Sequence, residues 1–457
     1  MFKITPRRHE LLSVFMMSMA ANFMFLGYDV QTMMAESVIH SVSSKHPERI
    51  SEYAGYYGQA IHYISFAFFS LFTASLQFYM SSKWMFVIAS SIFVFSYLSY
   101  FYINSYIFYS AQLIMGFAYA VFNNAEGMYL SEHSTRRTID SNSALETGIG
   151  HTSLFFGGVL MCILFYFVPH NFDGHFLNFD ENIVRVIFLS IMAISSVAVL
   201  IFSFLPTKQY DSIALNTERI SPSIKKQFKR FGHALGHLNT LLLIFTYCYM
   251  GFMVSFMYGI YPTSLSFTEQ TAGDVYIIAI YLLSSGCAAF TSTILIRPMI
   301  KRLHKYKLIV PMTIHVLAML SVFVLIYLSV PNTATQKPTE NVQVLLSPCR
   351  KLSIIIGFLL GLADFTITMS RSVICQIAVP EYRAELFSLT RCYQCLASCF
   401  ILFISPYLTV FSWIIILFIG LFLGTSAIFT VLYRTPTISI ASPIEPLKEV
   451  EDVVCVA

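Results

Sequence analysis

LLSVFMMSMAANFMFLGYDVQTMMAESV, residues 11–38, decides what kind of protein this is. The run holds no lysine or arginine and is longer than the ~20 apolar residues that carry a helix across a ~30 Å hydrocarbon layer. Yet Asn22, Asp29 and Glu36 recur in it at steps of seven. Seven residues is close to two helical turns, so the three form one stripe that drifts about 20° per step. At 1.5 Å per residue the stripe covers about 21 Å, which puts Asp29 inside the hydrocarbon and Glu36 near its outer edge. A carboxylate at that depth costs about 2.5–3.5 kcal/mol on insertion scales. The stripe is therefore expected to face a partner helix or a wet interior, not lipid.

The rest of the chain extends this reading. Of 457 residues, 56% are hydrophobic and 11% charged, about half the ~25% charge of a soluble domain. Eleven more apolar runs follow: Gly55–Met80, Trp84–Tyr102, Tyr106–Leu130, Leu145–Val168, Ile183–Leu205, Thr240–Leu265, Val275–Ile296, Leu308–Val330, Leu352–Cys375, Leu386–Leu408 and Trp413–Tyr433. The pattern excludes a soluble enzyme, a nucleic-acid-binding domain and a disordered scaffold. An outer-membrane barrel is excluded too, because its strands alternate in polarity. The fold class is an all-α polytopic membrane protein with twelve transmembrane helices in two six-helix halves, 1–205 and 239–433. A basic central loop, 206–238, joins them, and a tail, 434–457, reads as disordered. Met1–Glu10 carries Lys3, Arg7 and Arg8; the apolar stretch behind it is too long for a signal peptide, so a retained first helix is expected.

Basic residues set the orientation. Twenty Lys/Arg fall in the segments on the N-terminal side of the membrane and six on the other, which places both termini in the cytosol. In the central loop Lys225, Lys226, Lys229 and Arg230 interleave with Phe228 and Phe231. A basic helix lying on the inner surface and a solvated linker both fit that pattern. Seven of the nine cysteines lie inside apolar runs and there is no Asn-x-Ser/Thr acceptor, so no disulfide framework is expected. Cys392, Cys395 and Cys399 have helical spacing but read as small packing residues rather than metal ligands.

Polar groups inside the spans are the site candidates. Asp29 reads either as a cation or proton site or as a carboxyl hydrogen-bonded to a neighbouring helix. Asp364, Thr368 and Arg371 stand at i, i+4 and i+7 on one face of the tenth span, with Asp364 near mid-depth. Arg371 is too far from it for a direct ion pair, so a bound anion, a water or a third residue is expected between them. The face suits a zwitterionic or anionic solute, or a gating network. Tyr119, Asn123 and Glu126 repeat the spacing in the fourth span. A Glu126–Arg391 or Glu126–Arg371 pair is a candidate inner gate. His62, His151 and His315 are expected as buried hydrogen-bonding residues. No Walker loop, nucleophile elbow or His-Glu-x-x-His occurs, and neither an enzyme nor a cofactor is expected.

A weak internal repeat supports two related halves. Phe23-Met24-Phe25-Leu26-Gly27-Tyr28 matches Phe256-Met257-Tyr258-Gly259-Ile260-Tyr261, and Gly116-Phe117 matches Gly357-Phe358, which sets Asn123 opposite Asp364. This resembles the plan of major facilitator transporters. Over residues 11–433 the chain is similar to the Unc-ninety-three-like branch of that superfamily, in its facilitator-domain-containing subgroup. The likeness rests on Ala125-Glu126-Gly127-Met128-Tyr129-Leu130, then Ser131-Glu132-His133-Ser134, Thr152-Ser153-Leu154-Phe155-Phe156-Gly157, Tyr258-Gly259 and Leu359-Leu360-Gly361-Leu362-Ala363-Asp364. Asn123 and Glu126 replace the family's usual Trp and Gln. The facilitator loop signature after the second span is reduced to Ser81-Ser82-Lys83, and Arg297–Lys307 keeps the charge without the pattern.

The resemblance implies a facilitator fold whose members serve as carriers or as regulators; one is associated with a potassium channel complex and another escorts innate immune receptors. Two functions follow as expectations. One is a solute transporter working by alternating access, with Asp29, Asn123, Glu126, Asp364, Thr368 and Arg371 around a polar cavity and Glu126, Arg371 and Arg391 as gate. The other is a non-transporting regulatory or trafficking subunit of another membrane protein, such as an ion channel or receptor. The expected partners are the lipid bilayer, a small solute or proton, or that second membrane protein, and no nucleic acid. Plasma and endolysosomal membranes both remain open.

Overall fold

Asn22, Asp29 and Glu36 all lie on one helix of forty residues, α1 (Pro6–Lys45), about 60 Å long. A computed structural model of the chain describes residues 5–435 apart from 74–75, 77–78, 136, 169–170, 175, 211, 215–223, 297–307 and 341–343. The tail beyond 435 and the loop Arg297–Lys307 lie outside the described residues. α1 starts where Thr5 caps it, its hydroxyl accepting from the Arg8 amide, with Pro6 in the first turn.

The first half continues with α2 (Ala54–Thr73), α3 (Ser82–Ser96), α4 (Ser105–Glu132), α5 (Ile139–Gly150), α6 (Ser153–Phe167), a hairpin of β1 (Asn171–Asp173) and β2 (Phe176–Asn178), and α7 (Glu181–Ser203). Then come α8 (Ile224–Gly236), α9 (Leu238–Ser255), α10 (Tyr261–Phe267), α11 (Glu269–Ala272), α12 (Ile277–Thr291), α13 (Ile309–Ser329), α14 (Arg350–Ile377), α15 (Arg383–Ile404) and α16 (Val410–Arg434). Two spans are composite. α5 and α6 form one crossing broken at His151-Thr152, and α9 and α10 form one crossing through a π-turn at Phe256–Ile260.

Eleven crossings are long and apolar enough to traverse a bilayer. The twelfth, α2, is twenty residues long but carries Gln59, His62 and several tyrosines. Those groups have partners: the Gln59 amide donates to the Thr32 carbonyl at 3.0 Å, and His62 Nε2 meets the Tyr28 hydroxyl at 3.2 Å. α2 is polar because it faces α1.

The end of the bundle carrying residue 6 and α8 is termed inner. α8 is a helix, as one reading of the basic loop expects, although the side chains of residues 224–228 lie outside the described set. It is docked on α15 by an Arg230–Glu385 ion pair, with the Arg230 guanidinium 5.8 Å from the Tyr382 ring. That pair holds Arg230 even more firmly in its charged form.

Between the halves, α2 packs on α15 and α6 on α12. The outer ends meet as well: the Tyr56 hydroxyl donates to the Thr335 carbonyl at 2.9 Å, and the His40 and Phe267 rings lie 4.9 Å apart. Toward the inner end α4 packs on α2, α3 and α5 of its own half.

Glu36, the third stripe member, is spent on local structure. Its carboxylate accepts from the Tyr56 amide at 2.9 Å, in the first turn of α2. A Cβ on Gly55 would come within 2.3–2.8 Å of Glu36 carboxylate and backbone atoms. Gly55→Ala is therefore expected to destabilise the protein by about 1–3 kcal/mol, read as a lower melting temperature in detergent. A second test is set by His133, buried under the Tyr129 ring at 4.0 Å. Burial pushes its pKa down from 6.5 to about 4. The ring is neutral in both states at pH 7, but below pH 6.5 only the unfolded chain takes up the proton. Stability should fall between pH 6.5 and 4, by about 3 kcal/mol in all, and the fall should shrink in His133→Gln.

Candidate functional site

The break between α5 and α6 is built into the sequence: Gly148 and Gly150 weaken the helix, and His151-Thr152 follow. α1 holds the break open. The Asn22 amide donates to the Ile149 carbonyl at 2.8 Å and to the Thr152 hydroxyl at 2.6 Å. Two turns along α1, Asp29 accepts from the Ser153 hydroxyl at 2.7 Å and is buried. The first two stripe residues thus bind the same break.

The break aims His151 between the halves. Its Nδ1 donates to the Thr147 carbonyl at 2.8 Å, and its ring stands edge-on to Phe365 of α14 at 5.6 Å. Asp364, one residue before Phe365, lies within electrostatic reach of His151, Arg371 and Arg391. Asp364 and Asp29 also feel each other's charge. Tyr258, in the π-turn, is in range of both. A π-turn shifts a side chain out of helical register, a device common at functional sites.

Towards the inner end stands a second acidic pair. Glu126 of α4 and Glu146 of α5 are near neighbours, and both are within electrostatic reach of Arg391 on α15. Glu146 accepts from Thr147 at 3.1 Å. Arg391 is half-buried and forms no ion pair with a described residue. Arg371 is buried; its Nη1 donates to Gln394 at 3.0 Å, while its Nε has no partner among the described residues.

The expected residues are therefore distributed as follows. Asp364 lies within electrostatic reach of Asp29, Arg371 and Arg391, and Thr368 lies half-buried one turn beyond it. Asn123 bonds back to the Tyr119 carbonyl of its own helix at 2.9 Å. Neither Glu126–Arg391 nor Glu126–Arg371 forms an ion pair in this conformation; Glu126 stands beside Glu146. The third residue beside Arg371 is Gln394. Sequence reasoning missed Glu146 and Gln394; His151, expected as a hydrogen-bonding residue, does bond to Thr147. The glycines around Glu146 were the one available signal of a broken helix there.

Four carboxyl groups and two guanidiniums meet in this region.

A family model described as "Ion channel regulatory protein UNC-93" matches residues 46–429. The chain belongs to the UNC-93 family. As an UNC-93 family member it is 24% identical over 453 residues to the UNC93-like protein MFSD11 of Xenopus tropicalis, covering 94% of this chain and 97% of that one. The Xenopus laevis protein of the same name matches at the same identity and coverage. Solved transporters share the fold. The nucleoside transporter NupG superposes with a TM-score of 0.59 at 14% identity, covering 92% of this chain and 98% of NupG. A D-xylose-proton symporter gives 0.61 at 14%, covering 93% and 98%. The inward open xylose transporter XylE from E. coli gives 0.56 at 15%, covering 93% and 96%. The UNC-93 family chain thus has the major facilitator fold that its two six-helix halves imply.

The acid pair gives a direct test. Glu126→Gln and Glu146→Gln each replace one of two neighbouring carboxyls by an amide. The effect of the double variant on melting temperature should differ from the sum of the two single effects, because the two residues interact directly.

Proposed function

We propose that this UNC-93 family protein is a secondary transporter of a small polar solute, coupled to a proton or cation and working by alternating access. One observation carries the reading: Asp29, Glu126, Glu146, Asp364, Arg371 and Arg391, from five elements in both halves, converge in one region between the halves at membrane depth. Groups so costly in hydrocarbon would not be gathered there for packing alone. The units that move are 1–205 and 239–433, with both termini in the cytosol as the Lys/Arg bias favours.

In the conformation described, the outer ends are joined and Glu126 and Glu146 are near neighbours at the inner end. When both ionise, their proximity becomes a repulsion, and Arg391 is the nearest cation to relieve it. Ionisation draws α15 towards α4 and α5 and closes the inner side. The proton is thereby linked to the direction in which the site opens. Solute binds at Asp29, Asp364 and Arg371, with Asn123 and Thr368 at the border.

The test has two stages. A thermal-shift screen of small metabolites at pH 5 and pH 7 identifies a solute, because a ligand raises apparent stability by RT ln(1 + [L]/Kd). Uptake of that solute into proteoliposomes should then fall at least about tenfold in Asp29→Asn and in Asp364→Asn, while Glu126→Gln should lose the pH dependence of uptake. Normal uptake in both aspartate variants would overturn the proposal. The name of the family model keeps a regulatory role as the second reading; it predicts a stoichiometric membrane partner on purification in mild detergent.

A further inference from the structure

PNTATQKPTE, residues 331–340, follows α13 at the outer end of the bundle. Two prolines, three threonines and one alanine in ten residues have the composition of an exposed connection. The middle of the stretch is nevertheless buried: Ala334 has no accessible surface and Thr335 keeps 1%. Connections normally run over the surface, because buried backbone must find partners. Here the partners are present. The Thr335 hydroxyl donates to the Leu408 carbonyl at 2.7 Å, in the corner between α15 and α16. The Thr335 carbonyl accepts from the Tyr56 hydroxyl at 2.9 Å. The loop is also tied to itself. The Ala334 amide donates to the Pro331 carbonyl at 3.1 Å and the Gln336 amide to the Thr333 carbonyl at 2.9 Å, while the Thr333 and Thr339 hydroxyls meet at 3.1 Å and close its neck. A compact loop whose ends are held together in this way is a self-contained unit.

Its outward bonds divide unevenly between the halves. Asn332 takes the first amides of α16, its carbonyl accepting from Val410 at 2.9 Å and its side chain from Phe411 at 3.0 Å. On the other arm the Thr339 amide donates to the Phe267 carbonyl at 2.8 Å, and the Glu269 amide to the Thr339 carbonyl at 3.3 Å. With Thr335 to Leu408, all of these lie within the second half. Among the described residues the hydrogen bond to the first half is the one from Tyr56. That phenol is fully buried, and Thr263 of α10, also fully buried, is its near neighbour across the halves. When the outer ends part, the loop gives up one bond and keeps the rest, so it travels with the second half.

We infer that residues 331–340 are a plug, a rigid part of the second half whose tip seals the outer end, with the Tyr56 hydroxyl as the catch that holds it shut. That the plug opens and closes rests on the alternating-access reading above. A single neutral hydrogen bond is a weak catch, strong enough to bias the outer side towards closure by about fivefold and weak enough to release.

The experiment is the rate at which a water-soluble maleimide labels Thr263→Cys in the full chain in detergent, taken against the chain without that substitution. Tyr56→Phe keeps the ring and removes the catch, and labelling should become about fivefold faster. Asn332→Ala, which loosens the loop from the start of α16, should shift the rate in the same direction. Lys45→Ala breaks an ion pair with Asp180 at the outer end of the first half and should leave the rate unchanged. An unchanged rate in Tyr56→Phe would overturn the plug, and so would equal acceleration in Lys45→Ala, which would mark a general loosening. The measurement needs no solute. Faster labelling in a protein that takes up no solute would therefore keep the plug and remove only the carrier reading, whereas an unchanged rate with uptake intact would do the reverse.

Discussion

A carboxylate inside a bilayer must be given a partner, and in this protein α1 carries two of them and an asparagine along a single stripe. Each is paired with a different piece of backbone or side chain. Asn22 holds the Ile149 carbonyl and Thr152, Asp29 takes the Ser153 hydroxyl, and Glu36 takes the Tyr56 amide. One helix thereby fixes the start of α2 and the break between α5 and α6. The break in turn brings His151 and Glu146 to the gap between the halves. Nearer the inner end Glu10 adds a further tie, accepting from Asn142 of α5 at 2.6 Å.

The central charges do not cancel. Asp29, Glu126, Glu146 and Asp364 outnumber Arg371 and Arg391, and one of Arg371's five N–H donors is given to a neutral partner, Gln394. A surplus of acid in a region of low dielectric has to be met by protons or by a bound cation. Arg391 is half-buried, within electrostatic reach of Glu126, Glu146 and Asp364, and forms no ion pair among the described residues.

How far the sequence reveals this depends on what each signal reports. Hydropathy and spacing identified the crossings and the polar face of each, because helical period depends only on local chain geometry. It identified α2 within Gly55–Met80 as well, but not that its Gln59 and His62 answer groups on α1, which no single-helix pattern can display. It also placed Asp364 and Arg371 on one face correctly without showing that Arg371 turns to Gln394 of the next helix. Glu146 escaped notice because its meaning comes from Glu126 across a helix boundary. The two glycines and the His-Thr pair following it mark a broken helix, but they do not say which neighbour the break will serve.

The seams between the halves bear on whether such a site can change access. Along α6 and α12 the backbones approach closely: a Cβ on Gly158 would lie 2.7 Å from Leu283, and one on Gly286 2.3 Å from the Phe155 amide. Side chains at these points are apolar, so a rocking motion about the seam can keep most of the buried area buried. What the motion must break is the set of polar links at the outer end, such as Tyr56 to Thr335, each worth about 1 kcal/mol net. An energy difference built from a few such links is of the size that one proton or one bound solute can reverse. Under the alternating-access reading, the difference between two forms would thus be confined to a handful of polar contacts at either end, with the apolar seams as the axis.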